Sequence, residues 1–229
     1  MLEELKRAVC QANIELFERG IVLYTWGNVS GFDRKSGYVV IKPSGVPYDG
    51  MMPDDMVVVS LDGRVVEGKY RPSSDTPTHL ELYRSFEGIG GVVHTHSRNA
   101  VAFAQSGLAI PALGTTHADY FHGEVPCTRS LTEEEVAEAY EANTGKVIVE
   151  AFEELDYVGI PGVLVKNHGP FCWGKDPSEA VYHAAVLEEV AGIAQATLSL
   201  NAMSHLDDYV LDKHYQRKHG VGAYYGQER

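Results

Sequence analysis

Two histidines alternate on a segment that otherwise has the composition of a buried strand. The segment is GGVVHTHSRNA, residues 90–100, and it contains His94 and His96. Side chains two residues apart on a strand project from the same face, roughly 7 Å apart at the backbone. His168 ends a second apolar segment, GVLVKNHG. Three neutral imidazoles at strand ends can bind a catalytic divalent ion; the alternative is partly buried histidines that bond to backbone carbonyls.

Three turns rich in glycine and serine could bind an anion. They are WGNVSG (26–31), KPSG (42–45) and RPSSDTP (71–77). Small residues let backbone N–H groups approach an anion, and serine hydroxyls and the Lys42 ammonium add donors. Each segment could also be an ordinary turn. The chain contains neither a Walker sequence nor G-x-G-x-x-G, so together with the histidines these turns favour a small phosphorylated substrate over a dinucleotide.

Alternating helices and strands are predicted to hold these residues. The apolar spacing predicts an amphipathic helix from Leu2 to Leu16 that stops at Gly20. Further helices are predicted at 76–86, 98–107, from 131 onward, at 176–200 and at 206–220; strands are predicted at 21–25, 37–45, 56–68, 90–96 and 162–169. The 56–68 pair should be a hairpin that turns at Asp62-Gly63. Hairpins mixed with helices indicate an α/β domain with a largely antiparallel or mixed sheet.

Length, charge and cysteine usage limit the class of protein. The chain has 229 residues, of which 44% are apolar, and no long linker, which predicts one domain over residues 1–229. A net charge of −13 argues against nucleic acid or an anionic membrane surface as a partner. No apolar run approaches the roughly 18 residues of a membrane span, and acids replace the bases of a secretory signal. Scattered Cys10, Cys127 and Cys172 fit a reduced, cytoplasmic protein.

Five motifs together resemble one known family. GNVSG, KPSG, SSDTPTH, HTHS and NHGPF, in this order and spacing, are similar to those of the class II aldolase family. The resemblance extends from MLEELKRAV through GTTHADYFHGEVPCTR to DKHYQRKHG and AYYGQ, so it covers nearly the whole chain. Aldolases of this family usually carry a glutamate base in the segment where this chain has Asp75, and its epimerases share that departure. The resemblance is therefore closer to the epimerases.

The resemblance implies a fold, a metal and a set of site residues. It implies a single-domain three-layer α/β/α fold with a mostly antiparallel central sheet, and a homotetramer with sites between subunits. His94, His96 and His168 would bind one divalent ion per subunit, which is zinc or, as alternatives, manganese or cobalt. Asp75 matches the metal-adjacent carboxylate, and direct binding of the ion by Asp75 stays open. Positions that match substrate and phosphate contacts are Gly27, Asn28, Ser44, Gly45, Ser73 and Ser74, with Lys42 close by. Asp119 and Tyr225 match the acid/base pair, and His214 lies at an accessory position.

The implied reaction is that of an isomerase, the conversion of L-ribulose 5-phosphate to D-xylulose 5-phosphate. The C4 proton is too far from the C2 carbonyl for simple removal and return by a base. Transient oxidation at C4 by a nicotinamide needs a dinucleotide site, for which the sequence has no fingerprint. Cleavage and rejoining of C3–C4 needs a Lewis acid to hold an ene-diolate, which a three-histidine metal site provides.

Two alternatives stay open from the sequence. One is a sugar-phosphate aldolase of the L-fuculose 1-phosphate type, which would release the aldehyde. The other is a metal-free binding module similar to the head of adducin, which the presence of all three histidines disfavours. The sequence leaves arabinose and ascorbate degradation equally open as the pathway.

Overall fold

Seven strands and seven α-helices make up residues 2–226, the part of the chain that the computed structural model describes. In chain order they are α1 (Glu3–Glu18), β1 (Gly27–Asp33), β2 (Tyr38–Ile41), β3 (Val57–Ser60), β4 (Val65–Glu67), α2 (Thr76–Ser85), β5 (Gly91–Thr95), α3 (Arg98–Ser106), α4 (Thr115–Ala118), α5 (Glu133–Ala151), β6 (Gly162–Val165), β7 (Gly169–Gly174), α6 (Pro177–Leu200) and α7 (Asp208–His219). A 3-10 turn at Pro53–Asp55 precedes β3.

All seven strands form one sheet in the order β4-β3-β2-β1-β5-β7-β6. Every neighbouring pair is antiparallel. Strand β5 lies between β1 and β7, and its His94 is opposite Asn28 on one side and Phe171 on the other. The sheet therefore brings the histidine strand next to the first glycine-rich motif and next to the strand that follows His168.

Helices cover both faces of the sheet and give three layers. On one face α1, α3 and α6 pack together. At Gly31 in β1 an added Cβ would lie 2.7 Å from Leu5 and 2.9 Å from Pro177, so helix and sheet are in close contact there. On the other face α2 packs with α5, and the Ser30 hydroxyl bonds the Tyr83 hydroxyl of α2 at 2.8 Å. The predicted three-layer fold with an antiparallel sheet is confirmed.

The sequence prediction was wrong about where the first strand lies. Residues 21–25 are not a strand: Tyr24 has a φ of 51°, and it and Leu23 are exposed. The strand is β1, which runs through the motif that was predicted to be a turn. Glycine in a strand interior marks a close approach of neighbours, and an added Cβ at Gly27 would lie 2.8 Å from the His94 carbonyl oxygen. The small residues of this motif are therefore needed for packing.

Other predictions on the fold differ only in their bounds or were incomplete. The hairpin between β3 and β4 forms as predicted at Asp62-Gly63. Strand β7 was not predicted because Pro170 and the glycines at its two ends leave only a short apolar run. Within residues 2–226, no helix combines the length and the apolar character needed to cross a membrane.

Candidate functional site

Three histidine side chains meet at the end of the central strands. His94 is on β5, His96 follows directly after it, and His168 lies in the turn between β6 and β7. Their candidate ligand atoms all lie within 4.8 Å of one another. The ring centroids are 4.9 Å apart for His94 and His96 and 4.6 Å apart for His94 and His168. Pairing of β5 with β7 thus brings His168 beside two histidines more than 70 positions away. The sequence predicted this set of histidines but not the strand β7.

The orientation of two imidazoles leaves their Nε2 atoms for a ligand. His94 Nδ1 is 3.0 Å from the Pro170 carbonyl oxygen, which can only accept, so Nδ1 carries the proton. Its Nε2 is buried and has no hydrogen-bond partner within the described residues. His168 Nδ1 is 3.2 Å from the Tyr140 hydroxyl, which can accept a hydrogen bond from it; in that arrangement the lone pair of Nε2 is available to a ligand. Phe171 stacks on the His94 ring at 4.2 Å and limits its rotation.

The charges around the histidines suit a divalent cation. Burial, with help from His94 and His96, lowers the pKa of His168 to about 3. Burial also lowers the pKa of His96. Burial raises the pKa of Asp75, but His94, His79 and the Asn28 hydrogen bond outweigh it, so the net shift is downward. Neutral imidazoles beside a carboxylate, with one buried imidazole nitrogen lacking a partner, fit the ligand set of zinc and related ions.

The histidines form one wall of a cavity of about 550 Å³. Every residue predicted to bind substrate or metal lines it: Gly27, Asn28, Lys42, Ser44, Gly45, Ser73, Ser74, Asp75, His94, His96 and His168. The second and third turns lie side by side because the Ser44 N–H donates to the Arg71 carbonyl and the Ser73 N–H donates to the Lys42 carbonyl, both at 3.0 Å. Serine hydroxyls and glycine backbone therefore converge on the same space as the imidazoles.

Lys42 supports one turn and adds positive charge to the cavity wall. Its side chain is buried, and Nζ donates to the carbonyl oxygens of Val46 at 2.6 Å and Pro43 at 3.3 Å. The ammonium also lies 4.8 Å from the centre of the Tyr48 ring. Burial lowers the pKa of Lys42 to about 8. Two of its three N–H donors contact the backbone, which leaves one for a ligand.

Other residues of the cavity were not predicted from the sequence. They are Thr25, Trp26, Pro43, Tyr140 and Glu141. Tyr140 and Glu141 belong to α5, whose acidic sequence is typical of a solvated helix face. Only the NTG segment after them, Asn143 to Gly145, signals that this helix is irregular.

The remaining predicted residues form a second cluster, beside the packed helices α4 and α7. The Arg217 guanidinium donates two hydrogen bonds to Asp119, at 3.0 and 2.7 Å, and His214 Nδ1 lies 3.0 Å from the same carboxylate. The Tyr225 ring centre is 4.2 Å from Lys218 Nζ. The structure thus brings Asp119, His214 and Tyr225 together, but none of them lines the cavity that holds the histidines.

The electrostatics of this second cluster keep Asp119 ionised. Burial raises the pKa of Asp119, but hydrogen bonds from Arg217 and His214 and the charge of Lys218 outweigh burial and lower it. Tyr225 is 63% exposed, so its hydroxyl is accessible from outside this chain. Nothing in the sequence pattern identified Arg217, because its role follows from the docking of α7 on α4.

The fold and the histidine site together define the class of protein. Residues 7–195 match the Class II Aldolase and Adducin N-terminal domain, and the chain belongs to that family. The resemblance of its motifs is thereby confirmed. Class II aldolases use a divalent metal, and His94, His96 and His168 form a possible site for it.

Particular relatives lie among both epimerases and aldolases. The chain is 58% identical over 228 residues to L-ribulose-5-phosphate 4-epimerase UlaF of Salmonella paratyphi B, which covers 99% of this chain and 100% of that protein. An L-fuculose 1-phosphate aldolase structure superposes with a TM-score of 0.79 at 25% identity, over 93% of this chain and 95% of that one. The L-fuculose-1-phosphate aldolase of Thermus thermophilus gives 0.66 at 27% identity, over 89% and 98%.

Proposed function

We propose that this chain is a cytoplasmic, zinc-dependent epimerase that converts L-ribulose 5-phosphate to D-xylulose 5-phosphate. The observation that carries the proposal is one cavity in which three imidazoles face three turns rich in serine and glycine. The full-length similarity to an epimerase of that name favours this substrate over other sugar phosphates. The substrate class agrees with the donors of the cavity, because a phosphate needs N–H and hydroxyl groups around its oxygens.

The turns and Lys42 would hold the phosphate end of the substrate. Ser44, Ser73 and Ser74 supply hydroxyl donors, and Gly45, with a φ of 68°, permits a turn that exposes backbone N–H groups. Lys42 adds a positive charge. Holding the phosphate fixes the rest of the sugar relative to the histidines, which is a positioning contribution to the rate.

At the other end, the imidazoles would hold the ion beside the sugar oxygens. A divalent ion there supplies Lewis-acid stabilisation of the negative charge that develops as C3–C4 breaks. The Asn28 amide donates to Asp75 at 2.6 Å and fixes this carboxylate next to the histidines.

The proton transfers require an acid and a base on opposite faces of C4. As C3–C4 breaks, one group accepts the C4 hydroxyl proton; after the aldehyde has turned, the other donates a proton to the new C4 alkoxide. Asp119, held as a carboxylate, suits the accepting role, and the phenolic hydroxyl of Tyr225 suits the donating role. His214, in contact with Asp119, keeps that carboxylate oriented.

Separation of the two clusters supports an active site shared between subunits. The cavity contains the metal-type histidines, whereas Asp119 and Tyr225 lie together outside it. We infer a homotetrameric ring in which each subunit gives its cavity to one site and its Asp119–Tyr225 cluster to the next. In a closed ring of head-to-tail contacts, every site receives both parts.

A direct assay of the purified protein tests the proposal. With L-ribulose 5-phosphate we expect an equilibrium mixture with D-xylulose 5-phosphate and little free aldehyde; a chelator should abolish turnover and zinc should restore it. Accumulation of glycolaldehyde phosphate, or cleavage of L-fuculose 1-phosphate without epimerisation, would instead support the aldolase alternative that the aldolase-like fold suggests.

Metal analysis of His96→Ala should show loss of the ion, and full occupancy would contradict the ligand assignment.

A further inference from the structure

Tyr140 reaches the histidine cluster from a break in helix α5. Its hydroxyl lies 3.2 Å from Nδ1 of His168, and the two ring centroids are 5.9 Å apart. The residue before it, Ala139, has φ −159° and ψ 68°, which no α-helix accommodates. Tyr140 therefore stands at the first position after the break and lines the cavity.

A side-chain hydrogen bond stabilises the backbone at this break. In a regular helix the Glu135 carbonyl would accept the backbone N–H of residue 139. At the break, the buried side-chain amide of Asn143 donates to the Glu135 carbonyl at 2.8 Å. The interruption therefore leaves that carbonyl satisfied, which is the usual requirement for a stable kink.

The helix beyond the break is anchored to α2. The Thr78 hydroxyl donates to the Glu141 carbonyl at 2.6 Å. At Gly145 an added Cβ would lie 2.5 Å from the Glu81 side chain, so the two helices are in close contact. The Asn143 amide and the contact with α2 thus fix the backbone on both sides of Tyr140, from which its hydroxyl reaches His168.

We propose that Tyr140 is a positioning residue that fixes the tautomer and ring orientation of His168 for metal binding. Its phenolic oxygen accepts the proton of His168 Nδ1, so the lone pair of Nε2 is presented to the ion. The Pro170 carbonyl does the same for His94. Partners of this kind orient metal-ligating histidines and raise their basicity. The inference rests on the proposed metal centre and adds a residue to it.

Zinc affinity of Tyr140→Phe, measured in the full-length protein without substrate, tests this role. The change removes one oxygen and keeps the ring. By competition with a chromophoric chelator we expect zinc affinity to fall by about 10- to 100-fold, the usual effect of losing such a partner. The absorption spectrum of the cobalt-loaded protein should change as well, because the orientation of one ligand ring is released. Thermal unfolding of the metal-free variant should match that of the parent.

Tyr157→Phe is the matched control. Its hydroxyl donates to the Glu87 carbonyl at 3.4 Å, and its ring stacks on Phe86, away from the cavity. It should bind zinc as the parent does. If Tyr140→Phe binds zinc within about threefold of the parent, the positioning role is overturned and the metal centre stands. If the parent itself binds no zinc, the metal centre and this inference fall together.

Discussion

Lys42 makes the charge of the cavity depend on pH in the mildly alkaline range. Its pKa is lowered to about 8 by burial, so the ammonium is charged below that pH and loses its proton above it. A neutral amine no longer attracts a phosphate dianion. We therefore expect KM for the sugar phosphate to rise by about tenfold between about pH 7 and pH 9, as proton linkage at one site requires.

The variant Lys42→Met tests whether Lys42 causes the rise in KM with pH. Lys42→Met should have a raised KM at neutral pH and should lose the rise above pH 8, since the titrating group is gone. Steady-state kinetics across the range measure both effects. A variant with the same pH profile as the parent would show that Lys42 is not the group responsible.

Asp119 is expected to act on protons and not on binding. Asp119→Asn keeps the shape of the side chain but cannot accept a proton, so kcat should fall by about 10² or more while metal content and KM change little. Asp212→Asn is a suitable control because Asp212, on α7, is exposed and pairs with half-buried His122 at 2.6 Å, away from Asp119. An unchanged turnover number in Asp119→Asn would contradict the role.

The candidate metal-binding histidines could be predicted from the sequence. The residues that contact and orient them could not. The pair His94 and His96 is conspicuous because strand alternation places both side chains on one face. Tyr140 was not predicted, since an exposed tyrosine in an acidic helix has no distinctive pattern. Its position depends on the break at Ala139, which follows from the amide of Asn143 and from packing on α2. Such contacts exist only once the elements have packed.

At the scale of elements, the packing of α1 and α6 on β1 depends on the absence of a side chain at Gly31. An added Cβ would lie 2.7–2.9 Å from atoms of Leu5, Val9 and Pro177. Gly31→Ala should therefore lower the free energy of unfolding by about 1–3 kcal/mol, the typical cost of overpacking a core. Chemical denaturation measures the change.

Gly114→Ala provides the comparison for this substitution. Gly114 has extended backbone, with a φ of −164°, and no atom within 4 Å of an added Cβ. The stability of this variant should stay within about 0.5 kcal/mol of the parent, as for most surface changes. Equal stability of both variants would mean that α1 and α6 can move away from β1 without cost.

Helices and the hairpin were predictable because their signals are local, whereas the first strand was not. Capping residues and the 3.6-residue spacing identified α6, whose N-cap Asp176 accepts from the Glu179 N–H at 2.8 Å. By contrast, glycine and serine in β1 indicate a turn when considered alone. They occupy a strand because two helices and β5 approach it closely. This reason lies in tertiary packing, so the local sequence of β1 does not indicate a strand.

At the scale of the whole molecule, charge and cluster positions favour a shared site. A net charge of −13 on the chain repels a phosphorylated substrate at long range, so local donors in the cavity must hold it. Beside buried Asp119, Tyr224 and Tyr225 lie on the surface, both more than 60% exposed. Surface aromatic residues of this kind are enriched at subunit interfaces.

Mixing inactive variants tests whether the site is divided between subunits. If each site takes its cavity from one subunit and its Asp119–Tyr225 cluster from the next, then His96→Ala and Tyr225→Phe should partly rescue each other when they are unfolded together and reassembled. A competent site needs an intact cavity from the tyrosine variant and an intact cluster from the histidine variant. With equal amounts and random mixing, roughly a quarter of the sites of a closed ring meet this condition.

The pairing of Asp119 with Tyr225 on one chain sharpens the experiment. Because both residues contact Arg217, they should enter the same site from the same subunit. His96→Ala mixed with Asp119→Asn should therefore recover roughly the same quarter of activity, whereas Asp119→Asn mixed with Tyr225→Phe should recover none. Mass spectrometry of differently tagged variants shows that mixed oligomers have formed. Activity in the last mixture would show that Asp119 and Tyr225 of one subunit act in different sites. No activity in any mixture would show that the cluster acts with the cavity of its own subunit.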